Sequence, residues 1–148
     1  MTQDQTPDLV LETFIRCTQD ALWEALTDAV VMGTFNCHAD RAERDGDLIT
    51  YLMPDGAPML RMRDLDVTPK TRLEQTFEPL WEPGIEPGRV VQIVTPFDGY
   101  CALRVEHYNA GELADGYREG WSRDLAAMKT FLETGEVGLF DLDMEAEA

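Results

Sequence analysis

The sequence predicts an α+β fold: a curved antiparallel sheet of about six to seven strands packed around a long C-terminal helix, with two short helices after the first strand. Three observations predict it. Leu113, Tyr117, Trp121, Leu125, Met128 and Leu132 recur at steps of four, four, four, three and four, which is one stripe of an amphipathic helix. Ahead of that stripe, short apolar runs alternate with Asp-Gly and Pro-containing turns at the regular spacing of an antiparallel meander. No glycine-rich strand-to-helix turn or alternation of strands with helices points to a doubly wound fold.

Each element has a local reason. Leu9 to Arg16 is apolar and β-branched enough for a first strand. Thr18 is placed to cap a short helix, with Asp20 in its first turn and Leu22, Trp23 and Leu26 on its buried side. Asp28 opens a second short turn through Met32. Ala39 to Arg44 and Asp47 to Met53 flank the Asp45-Gly46 turn, a hairpin signal. Asp55-Gly56 leads to a strand from Met59 to Val67, and Thr68-Pro69-Lys70 turns into Thr71 to Pro79. Leu80 to Gly88 carries two Pro-Gly breakers and reads as a loop. Arg89 to Pro96 and Tyr100 to Tyr108 make the last hairpin. The closing helix, about two dozen residues and roughly 35 Å long at 1.5 Å per residue, ends at Gly135, where a left-handed cap belongs.

The organisation expected is an N-terminal extension over 1–8, one domain over 9–135 and an acidic tail over 136–148. The tail reads as solvated; its Val137, Leu139, Phe140, Leu142 and Met144 also suit docking on an apolar groove of this or another subunit. With 29 acidic against 12 basic residues the formal net charge is −17, which repels nucleic-acid phosphates and anionic membranes and excludes both as partners. Three well-separated cysteines make a disulfide framework improbable, and the N-terminus has neither the basic region nor the apolar run of a signal peptide. A cytoplasmic protein is expected. The same charge disfavours close self-association at low salt but leaves a homodimer open.

Three blocks carry a resemblance to a known family. Cys17-Thr18-Gln19-Asp20-Ala21-Leu22-Trp23-Glu24-Ala25-Leu26-Thr27-Asp28 is similar to a first-helix motif in which Trp or Phe precedes Ala-x-Thr-Asp. Tyr51-Leu52-Met53-Pro54-Asp55-Gly56, then Leu65-Asp66-Val67-Thr68-Pro69 and Arg72-Leu73, resembles the central hairpin. Val105-Glu106-His107, Gly120-Trp121 and Phe131-Leu132-Glu133-Thr134-Gly135 resemble the last strand and closing helix. The family is that of the heat-shock-protein-90 ATPase activator homologues, within the START-like (SRPBCC, helix-grip) superfamily. Thr18 stands where the family has Pro, Met32-Gly33-Thr34-Phe35 where it has Trp, and no Gly occurs from Met59 to Pro83 where it commonly has one. The resemblance implies a sheet gripping the C-terminal helix with a largely apolar pocket between them. Superfamily members include lipid and hormone binders, cyclases and co-chaperone-like domains, so it does not select a chemistry.

Candidate site residues follow from patterning. Tyr117 and Trp121 lie a turn apart on the helix stripe and need polar partners once buried; core packing is the alternative, and is favoured for Leu125. Strand alternation puts Leu103, Val105 and His107 on one inward face, making His107 either a hydrogen-bonded core residue or a polar anchor or acid/base. Arg61 and Arg63 would clamp a carboxylate if their face is concave, but Leu60 and Met62, of opposite parity, are equally apolar. Asp64 and Asp66 read as a solvated face. Cys37 and His38, adjacent on an expected strand, would point to opposite faces, and with two His in the chain no zinc spacing occurs. No cofactor is expected.

The sequence reading is therefore a domain that holds a small apolar or amphipathic molecule between sheet and helix. Trp121, Tyr117, Leu103, Val105 and Leu125 form the apolar wall, and His107 with Arg63 the polar end. The alternatives are a protein-interaction module with a protein partner, or a cyclase- or hydratase-type enzyme using His107.

Overall fold

A computed structural model describes residues 6–36, 38–81 and 84–138. It contains β1 (Leu9–Ile15), α1 (Gln19–Thr27), α2 (Ala29–Phe35), β2 (Arg41–Asp45), β3 (Leu48–Leu52), β4 (Pro58–Thr68), β5 (Arg72–Pro79), β6 (Gly88–Phe97), β7 (Tyr100–Tyr108) and α3 (Ala114–Thr134), the last preceded by a 3₁₀ turn over Gly111–Leu113. The strands form one antiparallel seven-stranded sheet in the order β1-β7-β6-β5-β4-β3-β2. All connections within β2 to β7 are therefore hairpins, and β1 closes against the last strand, with Leu9 opposite His107.

The helix caps follow from the sequence. Thr18 Oγ1 accepts from the Ala21 N–H at 3.1 Å, and the Asp28 carboxylate accepts from Val30 and Val31 N–H groups at 2.9 and 3.1 Å. These side chains satisfy donors that a helix N-terminus leaves without partners. Gly135 ends α3 at φ 79°, its N–H donating to the Phe131 carbonyl at 2.7 Å. A side chain there would be strained.

Leu9 and Ile15 of β1, Leu73 of β5, Val90 and Val94 of β6, and Leu103 and Val105 of β7 bury against Leu22 and Leu26 of α1 and Leu125 and Met128 of α3. Period-two patterning puts these residues on the helix-covered face, while Val91, Ala102 and Tyr108 of the opposite parity are buried as well. Helix α3 lies nearest β1, while α1 and α2 fill the space beside it. Among the described residues no helix is long and apolar enough to cross a membrane.

Several local expectations are corrected. The strand expected from Ala39 begins at Arg41, so His38 lies in the loop between α2 and β2. A bulge between Asp64 and Asp66 in β4 separates the two carboxylates expected to share a solvated face. Asp64 instead accepts from Gln75 Nε2 at 2.9 Å and pairs with Arg44 at 3.2 Å. The residues from 139 onward, with most of the expected tail, lie outside the described residues, as does Cys37.

Candidate functional site

Helix α3 presents two kinds of face to the sheet. Leu125, Ala127 and Met128 are buried in the core. One turn earlier, Tyr117, Trp121 and Asp124, at steps of four and three, look across a cleft toward β3, β4 and β5. Gly116 and Gly120 lie on the same side, and a Cβ added at either would meet no atom within 4 Å. The far wall is Tyr51 of β3, Leu60 and Met62 of β4, Phe77 of β5 and the following Trp81. The cleft encloses about 670 Å³.

Its rings are ordered by one another. Phe77 stands edge-on to Tyr117 at 5.0 Å between centroids and 62° between planes, and Trp81 meets Tyr117 at 6.4 Å and 89°. Edge-to-face packing of this kind satisfies the ring quadrupoles. Behind Tyr117 and Trp121 lies His107, fully buried. The Trp121 indole N–H donates to His107 Nδ1 at 3.2 Å. An indole nitrogen is only a donor, so the proton of the neutral imidazole sits on Nε2. Among the described residues Nε2 has no hydrogen-bond partner. It lies against Gly88, where an added Cβ would come to 3.2 Å from Nε2 and 2.7 Å from the Tyr108 carbonyl oxygen, so only glycine fits. The ring stacks on Tyr117 at 4.8 Å and 18° and meets Phe77 at 4.6 Å and 64°. Burial lowers the His107 pKa to about 4, against an opposing pull from the Asp8 charge. The imidazole is therefore neutral near pH 7 and fixes the indole plane that walls the cleft.

The polar end of the cleft is built from the α2–β2 loop and α3. Asn36 Oδ1 accepts from the backbone N–H groups of His38 and Ala39, each at 2.8 Å. That Asx turn leaves Asn36 Nδ2 to donate to Asp124 Oδ1 at 3.3 Å. His38 Nε2 donates to the Gly120 carbonyl at 3.1 Å, the only sense a carbonyl allows. Burial raises the half-buried Asp124 carboxyl to about 6, with the His38 charge opposing. Burial also raises the Tyr51 phenol, whose hydroxyl donates to Met32 Sδ at 3.6 Å. Asp124, Tyr51 and Trp121 face a second, inner chamber of about 30 Å³ as well, closed by Gln75 and Gln92. Gln92 Nε2 donates to Gln75 Oε1 at 3.4 Å, and Gln75 donates onward to Asp64.

Of the residues singled out from sequence, the structure brings Tyr117 and Trp121 to the cleft and His107 directly behind them. Leu103, Val105 and Leu125 are in the packed core and do not line the cleft. Arg63 is corrected. Its guanidinium lies on the outer face, half exposed and paired with Asp47, because Leu60 and Met62 take the inward parity of β4. Asp124, Asn36, His38 and Tyr51 were not anticipated. A signal for Asp124 was present, since it lies three residues from Trp121 and seven from Tyr117, an acid inside an apolar stripe.

No protein-family model and no curated protein matches the chain. Solved structures do. The Plasmodium falciparum protein PFC0360w, an Hsp90 activator, is 14% identical with a TM-score of 0.71, over 84% of this chain and 94% of that one. The Aha1 dimer of Colwellia psychrerythraea is 13% identical with a TM-score of 0.70, over 86% and 97%. DynU16 from the dynemicin biosynthetic locus is 20% identical with a TM-score of 0.70 over 86% of this chain; the match spans about half, 48%, of that longer protein. At these identities the likeness is one of fold. The seven-stranded curled sheet around a C-terminal helix is thus the START-like, helix-grip fold, which the chain shares with PFC0360w, the Aha1 dimer and DynU16.

Proposed function

We propose that the protein binds a small, mostly apolar molecule in the cleft between α3 and strands β3 to β5. One observation supports this reading above the others: about 670 Å³ lies between Tyr117, Trp121, Phe77 and Leu60, and Asn36, His38 and Asp124 converge at one part of its wall. That volume and that distribution of polar atoms are usual for small-molecule sites. Tyr117 and Trp121 supply the apolar wall, and His107 acts as a positioning residue through the Trp121 N–H. The polar end falls to Asp124 and Asn36 in place of Arg63. Leu103, Val105 and Leu125 hold the helix on the sheet behind it.

The test is native mass spectrometry of gently purified full-length protein, combined with titration of an apolar fluorescent dye. A co-purified molecule lost on denaturation, or saturable dye binding abolished by filling the cleft, supports the reading. A clean mass together with dye binding unaffected by filling the cleft overturns it.

A protein-interaction reading has its own support. Phe14, Phe97 and Tyr100 are exposed together, with Phe97 stacked on Tyr100 at 4.9 Å and Phe14 edge-on at 6.3 Å. Three contiguous exposed rings are the composition of an interface centre. A Phe97→Ser variant that loses binding to a partner or self-association in analytical ultracentrifugation would favour this reading; unchanged behaviour removes it.

A further inference from the structure

Resting on the reading that the cleft holds a small molecule, we infer that its ligand is an organic cation: an amphipathic amine whose body lies among Tyr117, Trp121 and Phe77 and whose ammonium group meets Asp124.

The cleft wall carries two carboxylates, and among the described residues its one basic group is the His38 imidazole. Glu119 and Asp124 line it, and among the described residues no lysine or arginine does. The nearby cations are engaged elsewhere. Arg63 points outward to Asp47, Arg44 binds the Thr27 carbonyl and Asp64, and Lys129 binds Glu133 and the Phe14 carbonyl. Glu119 stands at the exposed rim and shares its charge with Arg123 at 3.0 Å. Asp124 is the deeper of the two, and among the described residues no Arg or Lys pairs with it; its direct hydrogen bond is the 3.3 Å one from the neutral Asn36 amide. His38, the nearest group able to carry a positive charge, is held by the Gly120 carbonyl.

A half-buried carboxylate with a single neutral donor is short of partners, since an ionised carboxylate offers about four lone-pair sites. The burial that raises its pKa is the same deficit seen by proton binding. A ligand ammonium removes the deficit by a charge-assisted hydrogen bond. The aromatic walls act in the same direction, because the ring faces of Trp and Tyr attract cations. A carboxylate-headed ligand such as a fatty acid would meet two acids, with only the His38 imidazole, already held by the Gly120 carbonyl, as a base on the wall. An amine satisfies both the wall and the polar end, whereas a neutral alcohol satisfies only the wall fully.

Three naphthalene probes of matched size test this by calorimetry: 2-(1-naphthyl)ethylamine, 2-(1-naphthyl)ethanol and 1-naphthylacetate. The titrations are run on the full chain at about 0.15 M salt, where the Debye length of roughly 8 Å screens the distant charges. The amine is expected to bind about tenfold tighter than the alcohol, a difference of about 1.4 kcal/mol, with the acetate weakest. Asp124→Asn, which keeps shape and removes the charge, should erase the preference. Asp55→Asn, which removes the same charge from the exposed turn, should leave it intact; thermal melts confirm that both variants are folded. Equal affinity for amine and alcohol in the unaltered protein overturns the inference while the cleft reading stands. So does an amine preference that survives Asp124→Asn, because it then reflects the net charge of −17. Failure of all three probes to bind overturns the inference together with the cleft reading beneath it.

Discussion

The space between α3 and the sheet has two halves built on opposite plans. On the β1–β7–β6 side it is filled by aliphatic side chains: Leu9, Val90, Leu103 and Val105 interlock with Leu125 and Met128. On the β3–β5 side the same helix offers Gly116, Tyr117, Gly120, Trp121 and Asp124, and the facing strands offer Tyr51, Leu60 and Phe77, which line an open cleft and touch the helix where Phe77 stands edge-on to Tyr117 at 5.0 Å. Helix α3 runs closest to β1. A straight helix laid on a strongly curved sheet cannot stay in contact along its whole width, so one side closes and the other parts. The closed half supplies stability and the open half leaves room for function. The two should respond differently to the same kind of substitution.

The largest effect is expected in the filled half. Leu103 is fully buried, and Leu103→Ala should cost about 3 kcal/mol through lost burial and residual cavity. The measurement is urea denaturation at constant m-value. A cost below about 1 kcal/mol would mean that this half is packed no better than the cleft.

His107 stands at the boundary and makes the comparison depend on pH. Its folded pKa of about 4 lies below the ordinary histidine value of 6.5. Between those values the unfolded chain binds more protons, so stability is complete above pH 6.5 and falls as pH drops toward 4, by about 3 kcal/mol from this group. Asp124 acts in the opposite sense. Its folded pKa of about 6 lies above 3.8, so the native state binds more protons in that window and gains stability on acidification. The two offset each other in the unaltered protein. Asp124→Asn should therefore steepen the acid loss between pH 6.5 and 4, and His107→Phe should flatten or reverse it. Denaturation midpoints at pH 7 and 4.5 for the three proteins decide the matter; parallel slopes would show that neither group titrates as its burial requires. At pH 7 His107→Phe should still cost about 1–3 kcal/mol, because the Trp121 N–H loses its acceptor.

The filled half was legible in the sequence because periodicity speaks directly about burial. The inward parity of Leu103, Val105 and His107 and the stripe through Leu125 and Met128 follow from spacing alone. Thr18, Asp28 and Gly135 marked helix ends by cap chemistry. The open half was harder to read. Arg63 and Met62 sit on a strand where both parities are partly apolar, and the bulge at Leu65 that ends the alternation carries no turn residue to announce it. His38 reached the site through an Asx turn at Asn36, and a strand assigned two residues too early hid that turn. Asp124 could have been found by asking why an acid interrupts an apolar stripe, a question about what the helix faces as well as whether it is a helix.

The smallest stability effect should accompany the sharpest functional one. Glycine within a helix costs roughly 0.8–1 kcal/mol relative to alanine, yet α3 keeps two glycines a turn apart on its cleft side. Gly33 and Gly88 are crowded by neighbouring backbone, whereas Gly120 has nothing within 4 Å of an added Cβ. Packing in the described structure therefore does not require glycine there. Gly120→Leu should restore helix propensity and bury apolar surface against Leu60 and Phe77, leaving stability unchanged or raised by up to about 1 kcal/mol. The added side chain occupies the cleft, so dye and co-purified molecule should both be lost. A thermal melt and a dye titration on one preparation read the two results together. Intact stability with binding lost separates room for a ligand from imperfect packing, whereas intact stability with binding retained places the occupant elsewhere. A stability loss comparable to that of Leu103→Ala would mean that the two halves are one core, and the contrast between them would fall.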